Sequence, residues 1–164
     1  MAFFAEIDAA FPREPIPSAE TLFISDNEDA LESFRNRSWQ ELAPETVDYH
    51  ASSLAALSPQ GFAYYLPAFI VASLHYQDLG VADAVIDCLC PPKNDPTRAS
   101  FAKRWESLSP QQKRVAIQFL RHFEQRNPVA IQGAIQSLEA TIAGKQFAQP
   151  ASWRQCATLR LALR

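Results

Sequence analysis

From residue 109 onward, apolar residues recur at three- and four-residue spacing. Ala116, Phe119, Leu120 and Phe123 make one stripe, with Arg114, Gln118, Arg121 and Gln125 on the opposite side. That is the 3.6-residue period of a helix with one buried face. After Asn127, Ile131, Ala134, Ile135, Leu138 and Ile142 repeat the pattern, and Gly144 is placed to end it. From Leu79, the positions Ala82, Val85, Ile86 and Leu89 predict a short helix that stops before Pro91 and Pro92. Proline marks where helices begin. Ser58-Pro59, Asp95-Pro96, Ser109-Pro110 and Asn127-Pro128 each set a capping side chain before a Pro at the first helical position. There the missing N–H costs nothing and φ is already helical. Gln112 completes a capping box with Ser109. Pro44 follows only Ala43 and is a weaker start. No stretch alternates at period two. The pattern predicts an all-α fold: a single compact domain of about six to eight helices, spanning residues 1–164, around a central apolar helix broken at a proline.

That central segment runs from Phe62 to Leu74, carries no charge and is apolar almost all round. Pro67 interrupts it. An interior Pro removes one backbone hydrogen bond and crowds the preceding turn, at a cost of about 3 kcal/mol. Either the helix bends, with the Pro67 ring displacing the carbonyl of Ala63, or one helix ends near Leu66 and another starts at Pro67. Tyr65, Leu66, Phe69 and Ile70 are expected in the core beside this break. Tyr64, Tyr65 and Pro67 line either a ligand cleft or only the core, with the Tyr hydroxyls satisfied by backbone or water.

The motifs Trp39-Gln40-Glu41-Leu42 and Leu57-Ser58-Pro59-Gln60-Gly61-Phe62-Ala63-Tyr64-Tyr65-Leu66-Pro67-Ala68-Phe69 stand upstream of Phe101 and Leu108-Ser109-Pro110-Gln111-Gln112. Together they resemble an uncharacterised family of small bacterial helical proteins that share a Phe-x-Tyr-Tyr-Leu-Pro-Ala core. The resemblance covers about residues 5–125. It implies a bacterial cytoplasmic protein and supplies no activity and no catalytic residues.

Composition fits a soluble globular chain: 164 residues, 48% hydrophobic, 20% charged and only four Gly. The longest uncharged stretch, Tyr49 to Gln77, contains too many polar residues for a membrane span. The start, Met1-Ala2-Phe3-Phe4-Ala5-Glu6, is unlike a signal peptide. Cys88, Cys90 and Cys156 make no disulfide framework, and a cytoplasmic location is expected.

Charge adds what periodicity does not show. Residues 1–50 hold eleven Asp/Glu against three Arg, while residues 91–164 hold twelve Lys/Arg against four Asp/Glu. The overall charge of −3 therefore hides an acidic first third and a basic C-terminal half. The acidic set is Asp26, Glu28, Asp29, Glu32, Glu41, Glu45 and Asp48. The basic set includes Lys103, Arg104, Lys113, Arg114, Arg121 and Arg126, with Arg154, Arg160 and Arg164 near the end.

Motifs for chemistry are sparse. The chain has no glycine-rich phosphate loop, no Gly-x-Ser-x-Gly elbow and no His-Glu-x-x-His. Cys88-x-Cys90 lacks a second pair at zinc spacing, so Cys88 reads as a small buried hydrophobe. A Cys–His nucleophilic pair using His50, His75 or His122 needs spatial support. Asp83 and Asp87 share a helical face as a solvated pair or a site for a cation or a partner's Arg, and His122 reads as a partly buried packing residue. No cofactor, no metal and no catalytic residue is implied.

The expected function is therefore non-enzymatic: a cytoplasmic protein that binds a basic protein partner through the acidic set, as an immunity or inhibitor protein does with a toxin. Three other readings stay open. The basic half could serve a nucleic-acid-associated regulator, although the overall pI of 5.6 speaks against a dedicated binder. An enzyme with an unrecognised site ranks behind it. The two charged halves could also face and neutralise each other.

Overall fold

Where the sequence places a capping side chain before a proline, the backbone turns helical. In the computed structural model, which describes residues 2–24, 27–75, 80–92 and 95–144, nine α-helices follow one another. They are α1 (Ala2–Ala10), α2 (Ala19–Leu22), α3 (Glu28–Phe34), α4 (Pro44–Tyr49), α5 (Pro59–His75), α6 (Gly80–Leu89), α7 (Asp95–Ser107), α8 (Pro110–His122) and α9 (Pro128–Ile142). Two 3-10 segments, Ala51–Ala56 and Glu124–Arg126, join neighbours. The count passes eight because α2 is a single turn of four residues. The fold is all-α, one domain, with no β-strand among the described residues.

The caps work as their chemistry requires. Ser58 Oγ accepts from the Gly61 N–H at 3.0 Å. Ser109 Oγ accepts from the Gln112 N–H at 3.2 Å while Gln112 Oε1 accepts from the Ser109 N–H at 2.8 Å, the reciprocal box. Asn127 Oδ1 accepts from the Ala130 N–H at 3.3 Å. The side chain of Asp95 lies outside the described residues. After α9, Gly144 takes φ +78, the left-handed stop that a glycine reaches without strain.

Helix α5 is the axis of the domain. It continues unbroken through Pro67, so no helix ends at Leu66, and α2, α4, α6 and α7 pack around it. Helix α1 lies against α8, and α8 against α9. One contiguous apolar core draws on every α-helix from α1 to α9, with Tyr65, Leu66, Phe69 and Ile70 fully buried at its centre. The apolar stripes read from the sequence point inward, except that Ile142 at the end of α9 is exposed and Ile86 is half-buried, while Leu79 lies outside the described residues. His122 departs from expectation. It is exposed at the last position of α8, its ring roughly perpendicular to that of Phe123 at 5.1 Å between centroids.

A short antiparallel bridge between Phe23 and Leu57 pins the N-terminal segment to the start of α5. The Ile24 N–H donates to the Ala56 carbonyl and the Ser58 N–H to the Leu22 carbonyl, each at 2.9 Å.

Burial also sets how the domain responds to alkali. Desolvation pushes the Cys88 thiol up to about 11 from its ordinary 9.0, and raises Tyr65 and Tyr64 above the usual phenol range. Each group is held in its neutral form by the fold, so its contribution is complete below the unfolded pKa. As pH rises past 9.0, the unfolded thiol ionises while the folded one does not, and stability falls until about pH 11. The tyrosines extend the loss above pH 10. Denaturant melts from pH 8 to 11 should show this decline, and Cys88→Ala should flatten its first part. A wild-type profile level to pH 11 contradicts it.

Candidate functional site: the acidic face and the Trp39 hollow

The acidic residues are set out by two short helices and the turn between them. Helix α3 carries Glu28 and Asp29 in its first turn, where carboxylates favour the helix dipole, and Glu32 one turn on; all three are exposed. Helix α4 carries Glu45 in its first turn, exposed, and Asp48, half-buried. Between them, exposed Glu41 accepts from the Ser38 N–H at 2.7 Å, which closes the turn. Asp26 lies outside the described residues. Two cations share the segment, Arg35 and Arg37, both exposed. Tyr49, at the end of α4, leaves 77% of its surface in solvent.

Behind these carboxylates sits a polar contact that no spacing in the sequence announces. His50 is buried at the C-terminal end of α4, its ring edge-on to Phe34. Its Nε2 lies 3.0 Å from Ser33 Oγ, and its Nδ1 lies 4.0 Å from Asp29 Oδ2. The order Ser–His–Asp resembles a hydrolytic triad, and its geometry departs from one at two points. The carboxylate is beyond hydrogen-bond range. The Arg35 N–H, two residues after Ser33 at the C-cap of α3, is tied to the Leu31 carbonyl and cannot serve an oxyanion. The contact joins α3 to α4 and holds the acidic face in shape.

A hollow of about 220 Å³ opens beside the same turn. Phe4 and Ile7 come from α1, Leu42 and Pro44 from the entry to α4, and Ala68 and Val71 from α5 just past Pro67. Trp39 also lines it. The indole is 4% exposed, and its N–H meets no acceptor among the described residues. Such a donor costs about 1–3 kcal/mol when left without a partner. Asp8 and Gln40 supply the polar part of the lining, with Gln40 Nε2 donating to Asp8 Oδ1 at 2.6 Å.

The other sequence candidates resolve as follows. Tyr64 and Tyr65 are core residues: the Tyr64 hydroxyl donates to the Arg13 carbonyl, and that of Tyr65 lies 2.8 Å from the carbonyls of Phe34 and Arg37. Cys88 is buried and Cys90 half-buried; Cys156 lies outside the described residues. His50 faces Ser33, and His75 packs against Phe4. Asp83 and Asp87 are exposed, with Asp83 3.5 Å from Arg126 of the same chain. No group of three or more His, Cys, Asp or Glu converges among the described residues as a metal site would require. No described helix is long and apolar enough to cross a membrane.

The basic side chains of the second half are largely engaged internally. Arg104 lies over the Phe62 ring and donates to the Ala55 carbonyl at 3.0 Å. Lys113 lies over Trp105, Arg121 pairs with Glu139, and Arg126 sits over Phe123. Lys103 and Arg114 are exposed. Arg154, Arg160 and Arg164 lie outside the described residues.

No curated protein and no solved structure matches the chain. Residues 20–141, which hold most of α2 through most of α9 together with the acidic face, Trp39 and the proline-bearing helix, match a family described as of unknown function (DUF6714). The chain belongs to that family.

Proposed function

We propose that this is a bacterial cytoplasmic protein without enzymatic activity, which binds a basic protein partner through the acidic face of α3, α4 and the turn between them, in the manner of an immunity or inhibitor protein. One observation carries the reading. The Lys/Arg ion pairs described in this chain, Arg121–Glu139 and Arg126–Asp83, lie away from that face, and Glu28 and Glu32 form no ion pair among the described residues. The negative charge of Glu28 and Glu32 is therefore directed outward, where it steers association with a cationic surface. Tyr49 adds an exposed aromatic ring among these carboxylates, the residue type enriched where proteins meet. The nucleic-acid reading has less support, because four of the six described basic candidates are occupied by aromatic rings, carbonyls or carboxylates of their own chain.

The test pairs the protein with a charge-reversed variant, Glu28→Lys/Glu32→Lys. Both are used to capture proteins from host extract, and the rate for the captured basic partner is measured at two ionic strengths. The wild-type protein should associate on the order of ten-fold faster at low salt and show the steeper salt dependence, with melting temperatures nearly equal. Equal rates and equal salt slopes would remove the acidic face from the interface. A large fall in melting temperature would show instead that these carboxylates balance the chain's own basic half.

A further inference from the structure

We infer that the Trp39 hollow is the anchor site of that interface, and that it receives one large apolar side chain, aromatic or leucine-sized, from a basic segment of the partner. The inference rests on the reading of the acidic face and adds to it a place and a side-chain chemistry. Size sets the first limit. A hollow of about 220 Å³ exceeds the ~150 Å³ cavity that holds one benzene ring and falls short of the ~300–1,000 Å³ of ordinary small-molecule pockets. It suits a single side chain. Chemistry sets the second. Seven of the nine lining residues are apolar in type, Asp8 and Gln40 being the exceptions, and none is Lys or Arg.

Charge sets the third limit. Asp8 is part of the lining, and Glu41 and Glu45 are exposed residues that alternate in sequence with the lining residues Gln40, Leu42 and Pro44. A mostly apolar lining that holds one carboxylate and adjoins others in sequence suits a partner that presents an apolar residue flanked by Lys or Arg. Phe4, 42% exposed, stands in the same lining and can cover the guest.

Nuclear magnetic resonance reads this directly, because the Trp39 indole N–H gives its own signal, assigned by its loss in Trp39→Phe. The full chain is titrated with three capped pentapeptides: Lys-Arg-Phe-Arg-Lys, the same with Ala at the centre, and Glu-Glu-Phe-Glu-Glu. The basic Phe peptide should shift the Trp39 signal and bind about ten-fold or more tightly than the Ala peptide. Val71→Phe, which fills the hollow from α5, should abolish the difference while a melt confirms folding. Equal binding of the Phe and Ala peptides overturns the anchor and leaves the acidic face standing. Equal binding of the acidic and basic Phe peptides overturns the charge argument, and with it the reading of the face. A Trp39 signal that moves with protein concentration alone assigns the hollow to a second copy of this chain and overturns the basic partner.

Discussion

Phe69→Ala is expected to lower the free energy of unfolding by about 3–5 kcal/mol. Phe69 is fully buried, one turn from the Tyr65–Phe34 stack, with its ring edge-on to Phe34 at 6.0 Å between centroids. Removing the ring forfeits its transfer free energy and leaves a void that the surroundings cannot close. The neighbours on α5 are fixed by Pro67 and by the Tyr65 hydroxyl, and neither can slide. Against a total stability of 5–15 kcal/mol for an ordinary domain, this is a large fraction. Urea melts of the two proteins, compared at equal slope, measure it. A loss below about 1 kcal/mol would show that α5 is not the centre of the core.

Gly61→Ala should also destabilise, although alanine is the better helix former by about 1 kcal/mol. Gly61 lies in the first turn of α5, and a methyl group there would stand 2.5 Å from the Leu22 carbonyl oxygen and 3.0 Å from Leu22 Cδ1. The obstacle is backbone, not the end of a flexible side chain. That carbonyl already accepts from the Ser58 N–H in the Phe23–Leu57 bridge, and the Ser58 side chain caps α5 and donates to the Thr21 carbonyl at 2.5 Å. Making room therefore disturbs three hydrogen bonds at once. Overpacking of this kind costs roughly 1–3 kcal/mol and should outweigh the gain in propensity. The same melts should place Gly61→Ala below the wild-type protein. A stabilised variant would mean that α2 can move off α5 freely.

These two sites mark how far the sequence could be read. The long, capped helices are local objects. Ser109, Gln112 and Pro110 define the start of α8 whatever surrounds them, and the stripe of Phe119, Leu120 and Phe123 defines its buried face. Helices α2 and α3 are not local. Four and seven residues long, without side-chain caps, they are too short to persist alone and exist because Leu22, Ala30 and Phe34 are buried against the rest. The carboxylates of the acidic face were legible as a charge run. The Ser33–His50 contact was not, since the two residues lie 17 apart and no motif links them. Trp39 stood in a recognisable block, but only packing shows that α1 and α5 leave a hollow beside it. His122 falls between the two cases: its place beside a stripe suggested partial burial, and at the end of α8 it is exposed.

The Phe23–Leu57 bridge has a further consequence for the segment that carries the acidic face. It ties the two flanks of residues 27–50, so α3, the turn and α4 form a closed loop whose ends cannot separate without breaking backbone hydrogen bonds at the entry to the central helix. The face is therefore preorganised. A partner docking there would meet a contour already set, and little chain ordering would oppose association. The amide protons of Ile24 and Ser58 should then exchange with solvent only when the bridge opens, which makes them reporters of its closure at the margin of the acidic face.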